Sequence, residues 1–146
     1  MPAVRVYIPL SAGALRALAE RRAVGGGDGD RVVAYAVTPG LEAAHPGEGV
    51  EELEYLAFCD AAAAATRLRE AAGDRRVVVA ADADPEWLVD SDGGTAAVAL
   101  VRELPLTRIA SFHVDDPAAM AAGDESADEL LWYDVTELDE VRGFFA

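Results

Sequence analysis

Arg76-Val77-Val78-Val79-Ala80-Ala81-Asp82 is the stretch on which the fold turns. Five consecutive apolar residues with β-branching give no polar face, so the segment reads as a central strand covered on both sides. Upstream, Val50 to Ala72 carries apolar residues at helical spacing (Val50, Leu53, Ala57, Ala61, Ala64, Leu68), with Gly73 placed to end the helix. The run Ala61–Ala65 offers a surface small enough for close packing on a sheet. Further upstream, Val4–Ile8 and Arg31–Val37 read as strands stopped by Pro9 and by Thr38-Pro39-Gly40. Ser11 caps a helix running to Arg22, with Leu15, Leu18 and Ala19 inward. Residues 41–49 read as a loop, and Gly25–Asp30 as a flexible connection with no GxGxxG register.

Downstream, residues 82–94 form an acidic connection with a short turn at Trp87. Thr95–Val101, Ser111–Val114 and Leu130–Tyr133 are the remaining strands, and Thr107 opens a short helical turn. Thr136 caps a last helix with Leu138, Val141 and Phe145 inward, Asp139 approximating a capping box. Residues 116–129 are too polar and small to pack well and read as a mobile acidic segment. Ile8-Pro9-Leu10-Ser11 is echoed by Leu104-Pro105-Leu106-Thr107, which reads as repeated strand-to-helix chemistry rather than a duplicated unit. The expected fold class is α+β: one domain over 1–146, alternating β and α units, a mixed sheet of about six strands, helices mainly on one face. A doubly wound parallel sheet is the alternative.

Composition excludes several functions. The chain has 146 residues, a formal net charge of −15, and arginine as all 12 of its basic residues; lysine, asparagine and glutamine are absent. Without lysine there is no P-loop and no Schiff-base chemistry. The single cysteine, Cys59, precludes an intrachain disulfide, and two histidines cannot build a three-histidine zinc site. The acidic balance opposes nucleic-acid binding. No signal-like N-terminus and no membrane-length apolar run are present, so a cytoplasmic protein is expected.

Chemistry-bearing residues gather at strand ends. Asp82, Asp115, Asp116 and Asp134 each follow a strand. On one edge of a parallel sheet they would suit Mg²⁺, although aspartate is also an ordinary strand terminator. His113 and Asp115 lie two apart and share a strand face, so the carboxylate could orient the imidazole. Ser111 extends that alignment, but i, i+2 side chains stand roughly 6–7 Å apart, beyond a nucleophile-to-base bond, and no GxSxG accompanies it. Glu51, Glu52 and Glu54 complement the helix dipole. Tyr55, Phe58, Cys59 and Ala62 form a second stripe on the long helix, which implies a second contact: another helix, or an interaction surface for a second subunit.

The blocks Arg5–Leu10, Ala34–Pro39, Glu51–Tyr55, Arg76–Asp82, His113–Asp116 and Leu130–Tyr133, in that order, resemble a family of short uncharacterised actinobacterial proteins. The resemblance covers nearly the whole chain, departs at the glycine–aspartate stretch 25–30, and implies one compact cytosolic domain with no assigned activity. The functional expectation is a non-enzymatic accessory or interaction role, with a homodimer or protein partner and no cofactor. The alternative is a Mg²⁺-assisted hydrolase or phosphoryl-handling enzyme built on Asp82, Asp115, Asp116 and Asp134 with His113.

Overall fold

The computed structural model describes residues 2–25, 31–71 and 73–145, so residues 26–30 of the glycine–aspartate connection lie outside it. Its strands are β1 (Val4–Leu10), β2 (Ala23–Val24), β3 (Val32–Ala36), β4 (Val77–Ala83), β5 (Leu88–Asp90), β6 (Ala97–Leu100), β7 (Leu104–Pro105), β8 (Ile109–Asp115) and β9 (Leu130–Asp134). Its α-helices are α1 (Ala12–Arg21), α2 (Pro39–Ala44), α3 (Val50–Arg67), α4 (Pro117–Ala121) and α5 (Leu138–Gly143). Seven strands form one sheet in the order β5-β6-β3-β1-β4-β8-β9, and β2 pairs with β7 in a small second sheet.

The class is α+β, as expected, but every pairing is antiparallel. Neither the mixed sheet of alternating units nor the doubly wound alternative is found. The reason lies in what the helices connect. Helix α1 joins β1 to β3, which are antiparallel neighbours. The helices between β3 and β4 carry the chain across β1, so those two parallel strands flank β1 and never touch. The β5–β6 and β8–β9 pairs have no intervening long helix at all.

Strand β4 is the central strand the sequence implied: Val77, Val78 and Val79 are fully buried, each such side chain contributing about 1.5–3 kcal/mol. Alternation sends Val77, Val79 and Ala81 to one face, where they meet Val6, Ile8, Phe112, Leu15 of α1 and Val141 of α5. Val78 and Tyr35 point to the other face, under Leu53, Ala57 and Ala61 of α3 and Leu41 of α2. Helices therefore cover both faces, and not mainly one.

Local chemistry explains where the boundaries fall. Ser11 Oγ accepts from the Ala14 N–H at 3.1 Å and starts α1, which ends at Arg22 in a left-handed conformation. Thr38 accepts from the Leu41 N–H at 3.0 Å, and Pro39 follows at the first helical position; the expected loop at 41–49 thus begins as α2. Helix α3 ends at Leu68 rather than at Gly73, leaving Val50 and Leu68 exposed at its two ends. Strand β1 runs through Pro9 to Leu10. Residues 106–108 make a 3₁₀ turn with no side-chain cap from Thr107. Asp134 and Glu137, and not Thr136 and Asp139, close the capping box before α5, with the Asp134 N–H donating to Glu137 Oε2 at 2.8 Å. Within 116–129 stand α4 and a 3₁₀ turn at Ala127–Glu129.

Candidate functional site

The strand-end aspartates do not meet. Antiparallel pairing sets Val77 opposite Val114 and Ala81 opposite Ile109, so Asp115 lies at the start of β4 and Asp82 near its end, roughly 20 Å apart along the strand. Asp134 pairs with Ser111 at an intermediate level. Each carboxylate has its own structural partner. Asp82 accepts from Arg5 Nε at 2.9 Å. Asp116 caps α4 through the Ala118 N–H at 3.0 Å. Asp134 accepts from the Thr136 N–H and hydroxyl, which hold its carboxyl below the usual range. Asp115, 1 % exposed, is gripped by Arg76 and Arg69. Burial works to raise its pKa, but the hydrogen bonds from Arg76 prevail and hold it down. Among the described residues no three His, Cys, Asp or Glu side chains converge to hold a metal ion.

His113 is not oriented by Asp115, which is taken by the arginines. Its Nε2 is instead hydrogen-bonded to Ser111 Oγ at 3.0 Å. The i, i+2 spacing that argues against this contact applies to the side-chain roots; the two tips lean together along the strand. Burial, reinforced by the charge of Arg5, lowers the His113 pKa to about 4, so the imidazole is neutral at physiological pH. The Phe58 ring stands edge-on to it, centroids 5.0 Å apart, and also meets Tyr7 edge-on at 5.7 Å.

These aromatics line a cleft of about 370 Å³ between the first turns of α3 and the sheet. Glu51, Glu54, Tyr55 and Phe58 reach it because positions i, i+3, i+4 and i+7 share one helix face. The opposite wall is Tyr7, His113 and Leu130, and Asp128 closes one end. The Tyr55 hydroxyl donates to Asp128 Oδ1 at 2.8 Å, which raises the phenol pKa. Burial, then the nearby Glu54 charge, raises that of Tyr7. Trp132 pairs with His113 across β8 and β9, so it projects from the same face of the sheet, 62 % exposed. Among the described residues neither Glu51 nor Glu54 has an ion-pair partner.

The second stripe of α3 is partly absorbed inside the chain. Ala62 is buried and Phe58 is packed on the sheet, while Cys59 is half-buried and Tyr55 remains exposed. Within the chain, the segment Glu125–Leu130 is what faces this stripe. Sequence reasoning assigns Glu51 and Glu54 to the helix dipole, takes Tyr7 as a core side chain inside a strand rather than a ligand platform, and misses Asp128. The spacing Glu51-x-x-Glu54-Tyr55-x-x-Phe58 was the available signal, since it puts carboxylates and rings on one face.

The fold and the cleft define an antiparallel α+β protein with an acidic, aromatic-walled recess and no assembled metal centre among the described residues. Within that class, the chain belongs to the family of unknown function DUF6912, whose model matches residues 4–141. No curated protein and no solved structure matches the chain. Among the described residues no helix is long and apolar enough to cross a membrane.

Proposed function

We propose that the protein is a non-catalytic binding module whose cleft takes a cationic group, an ammonium or guanidinium, presented by a partner. The observation that carries this reading is that Tyr7, Tyr55 and Phe58 line the same cleft as the carboxylates of Glu51 and Glu54, which have no ion-pair partner among the described residues. Aromatic faces attract a cation by about 0.5–2 kcal/mol each, more as it sheds water. A neutral His113 adds no repulsion. The net charge of −15 steers a basic partner inward and opposes a second copy of the same chain.

The test is a titration of Trp132 fluorescence with N-acetylarginine amide, the Trp132→Phe protein serving as blank for Trp87. Saturable binding is expected, weakened roughly tenfold in Glu54→Gln and in Phe58→Leu. Equal affinity for N-acetylglutamate amide, or indifference to both substitutions, would overturn the proposal.

The Ser111–His113 contact favours a second reading, a hydrolytic dyad. Against it, a base with a pKa about 4 is poorly matched to neutral pH, and Ser111 is 5 % exposed. Labelling of Ser111 by a fluorophosphonate, lost in His113→Ala, would make this reading the better one.

A further inference from the structure

Strand β1 pairs with β4 over all seven of its residues but meets β3 only at Val6↔Ala36 and Tyr7↔Tyr35. Backbone direction explains the break. The Ala36 N–H donates to the Ala96 carbonyl at 2.9 Å, away from β1. Peptide groups alternate sides along a strand, so Tyr35 and Val33 turn theirs toward β1. The register would place Pro9 opposite Val33, and proline has no N–H to give. The ladder ends at Tyr7 and the two strands splay. Pro9 sits in the middle of a sheet because its missing donor faces the gap and not β4.

The splay opens a groove of about 730 Å³, within the roughly 300–1,000 Å³ of small-molecule sites. Its walls are apolar and come from α1, β3 and the end of α3; Ala17, Val33 and Leu68 stand for the three. Val33 and Leu68 are exposed apolar side chains at 38 % and 40 %. Arg21, Arg31 and Arg67 also line the groove, and among the described residues Asp92 is the one carboxylate beside them. Arg21 donates to the Gly25 carbonyl, and Arg67 to the Ala63 carbonyl at 3.5 Å. Among the described residues none of the three makes an ion pair. A chain with 27 acidic residues thus gathers three of its 12 cations around its apolar opening.

We infer that this groove binds an amphiphilic carboxylate, with its hydrocarbon chain along the splay and its head group on the arginines. Charge complementarity fixes the sign of the head, because a planar guanidinium matches a carboxylate with two parallel bonds. The missing ladder fixes the nature of the tail: an inserted peptide strand would find no donor at Pro9, whereas an alkyl chain needs none.

The experiment is calorimetric titration of the full chain with decanoate below its micellar concentration, with decylammonium as the charge-reversed probe. Decanoate is expected to bind at one site and raise the melting temperature, which separates binding from surfactant denaturation. The double variant Arg31→Ala/Arg67→Ala removes two exposed side chains and is expected to weaken binding tenfold or more, by roughly the strength of a charged hydrogen bond. Ala17→Trp fills the groove and is expected to abolish binding; the arginine variant keeps the test decisive if this one fails to fold. Absence of decanoate binding, equal binding of decylammonium, or affinity unchanged in the arginine variant overturns the inference.

Discussion

Replacing Asp115 by asparagine tests whether this strand-end carboxylate anchors the fold. The side chain is 1 % exposed and Arg76 is 3 % exposed. Asp115 Oδ2 accepts from the Arg76 backbone N–H at 2.7 Å and from Nε at 3.0 Å, and Oδ1 accepts from Nη2 at 2.8 Å. Arg69 Nη2 adds a bond at 3.2 Å while holding Glu125 at 2.9 Å. One carboxylate thus ties the start of β4, the end of β8, the chain beyond α3 and the segment before β9. Asparagine keeps the shape but turns an N–H₂ toward a guanidinium and leaves the buried Arg76 without its counter-charge, while Arg69 keeps Glu125.

Breaking one partner of a buried pair costs about 3–5 kcal/mol, a large part of the roughly 5–15 kcal/mol that holds a domain folded. For a chain of this size the melting temperature should fall by roughly 10–15 °C. Urea unfolding followed by far-UV circular dichroism measures the loss directly. The pH dependence supplies a second readout. The folded pKa of Asp115 is depressed, so its stabilisation is present above the ordinary carboxylate value near ~3.9 and is lost as pH falls through the folded value. Asp115→Asn lacks that component of acid unfolding. The double variant Arg76→Met/Asp115→Leu, which removes both charges, should be more stable than Asp115→Asn. A loss below about 1 kcal/mol in Asp115→Asn would refute the anchoring role.

His113 should titrate near pH 4 by NMR of its ring protons, and its folded pKa lies below the unfolded value near ~6.5. Its contribution to stability is therefore complete above ~6.5 and disappears as pH falls toward 4; a midpoint at 6 or higher would contradict the buried, Arg5-facing environment. Ser11→Ala removes the α1 cap and should cost about 1 kcal/mol in the same urea assay, against no change for Ser91→Ala, whose hydroxyl makes only a local bond to the Asp92 carbonyl.

Much of the fold was legible where local chemistry decides it. Val77–Val79, the Ser11 cap and the onset of α3 follow from side chains and their immediate neighbours. Thr38-Pro39 carried a helix start as well as a strand stop, and Asp134-Val-Thr-Glu137 a capping box two residues before the one read. Strand direction was not legible, because a helix between two strands constrains length and burial but not whether the strands end up adjacent. That one unknown decided the site. Antiparallel pairing separates Asp82 from Asp115, and it brings Asp115 to Arg76, 39 residues earlier in the chain. Tyr7 reached the cleft by the same route: nothing near it in sequence tells that Phe58 and His113 share its face of the sheet.

The arginines organise what remains. With no lysine in the chain, every side-chain cation is a planar fork suited to bidentate pairing and ring stacking. Arg5, Arg16, Arg69, Arg76 and Arg108 are committed to ion pairs. Arg75 lies on Phe144 and Arg102 on Trp87, each serving local packing. Most positive charge is thereby engaged by partners within the chain, and the field outside is set by the excess carboxylates. Against that field two places stand out for opposite reasons. At the α3 cleft Glu51 and Glu54 meet aromatic walls, which favours a cation. At the β1–β3 splay three arginines meet an apolar floor, which favours an anion with a hydrocarbon tail. Since one site lies by the first turns of α3 and the other by its last, a single helix carries both. Charge-reversed ligands should therefore occupy the two sites independently, and binding at one should leave affinity at the other unchanged.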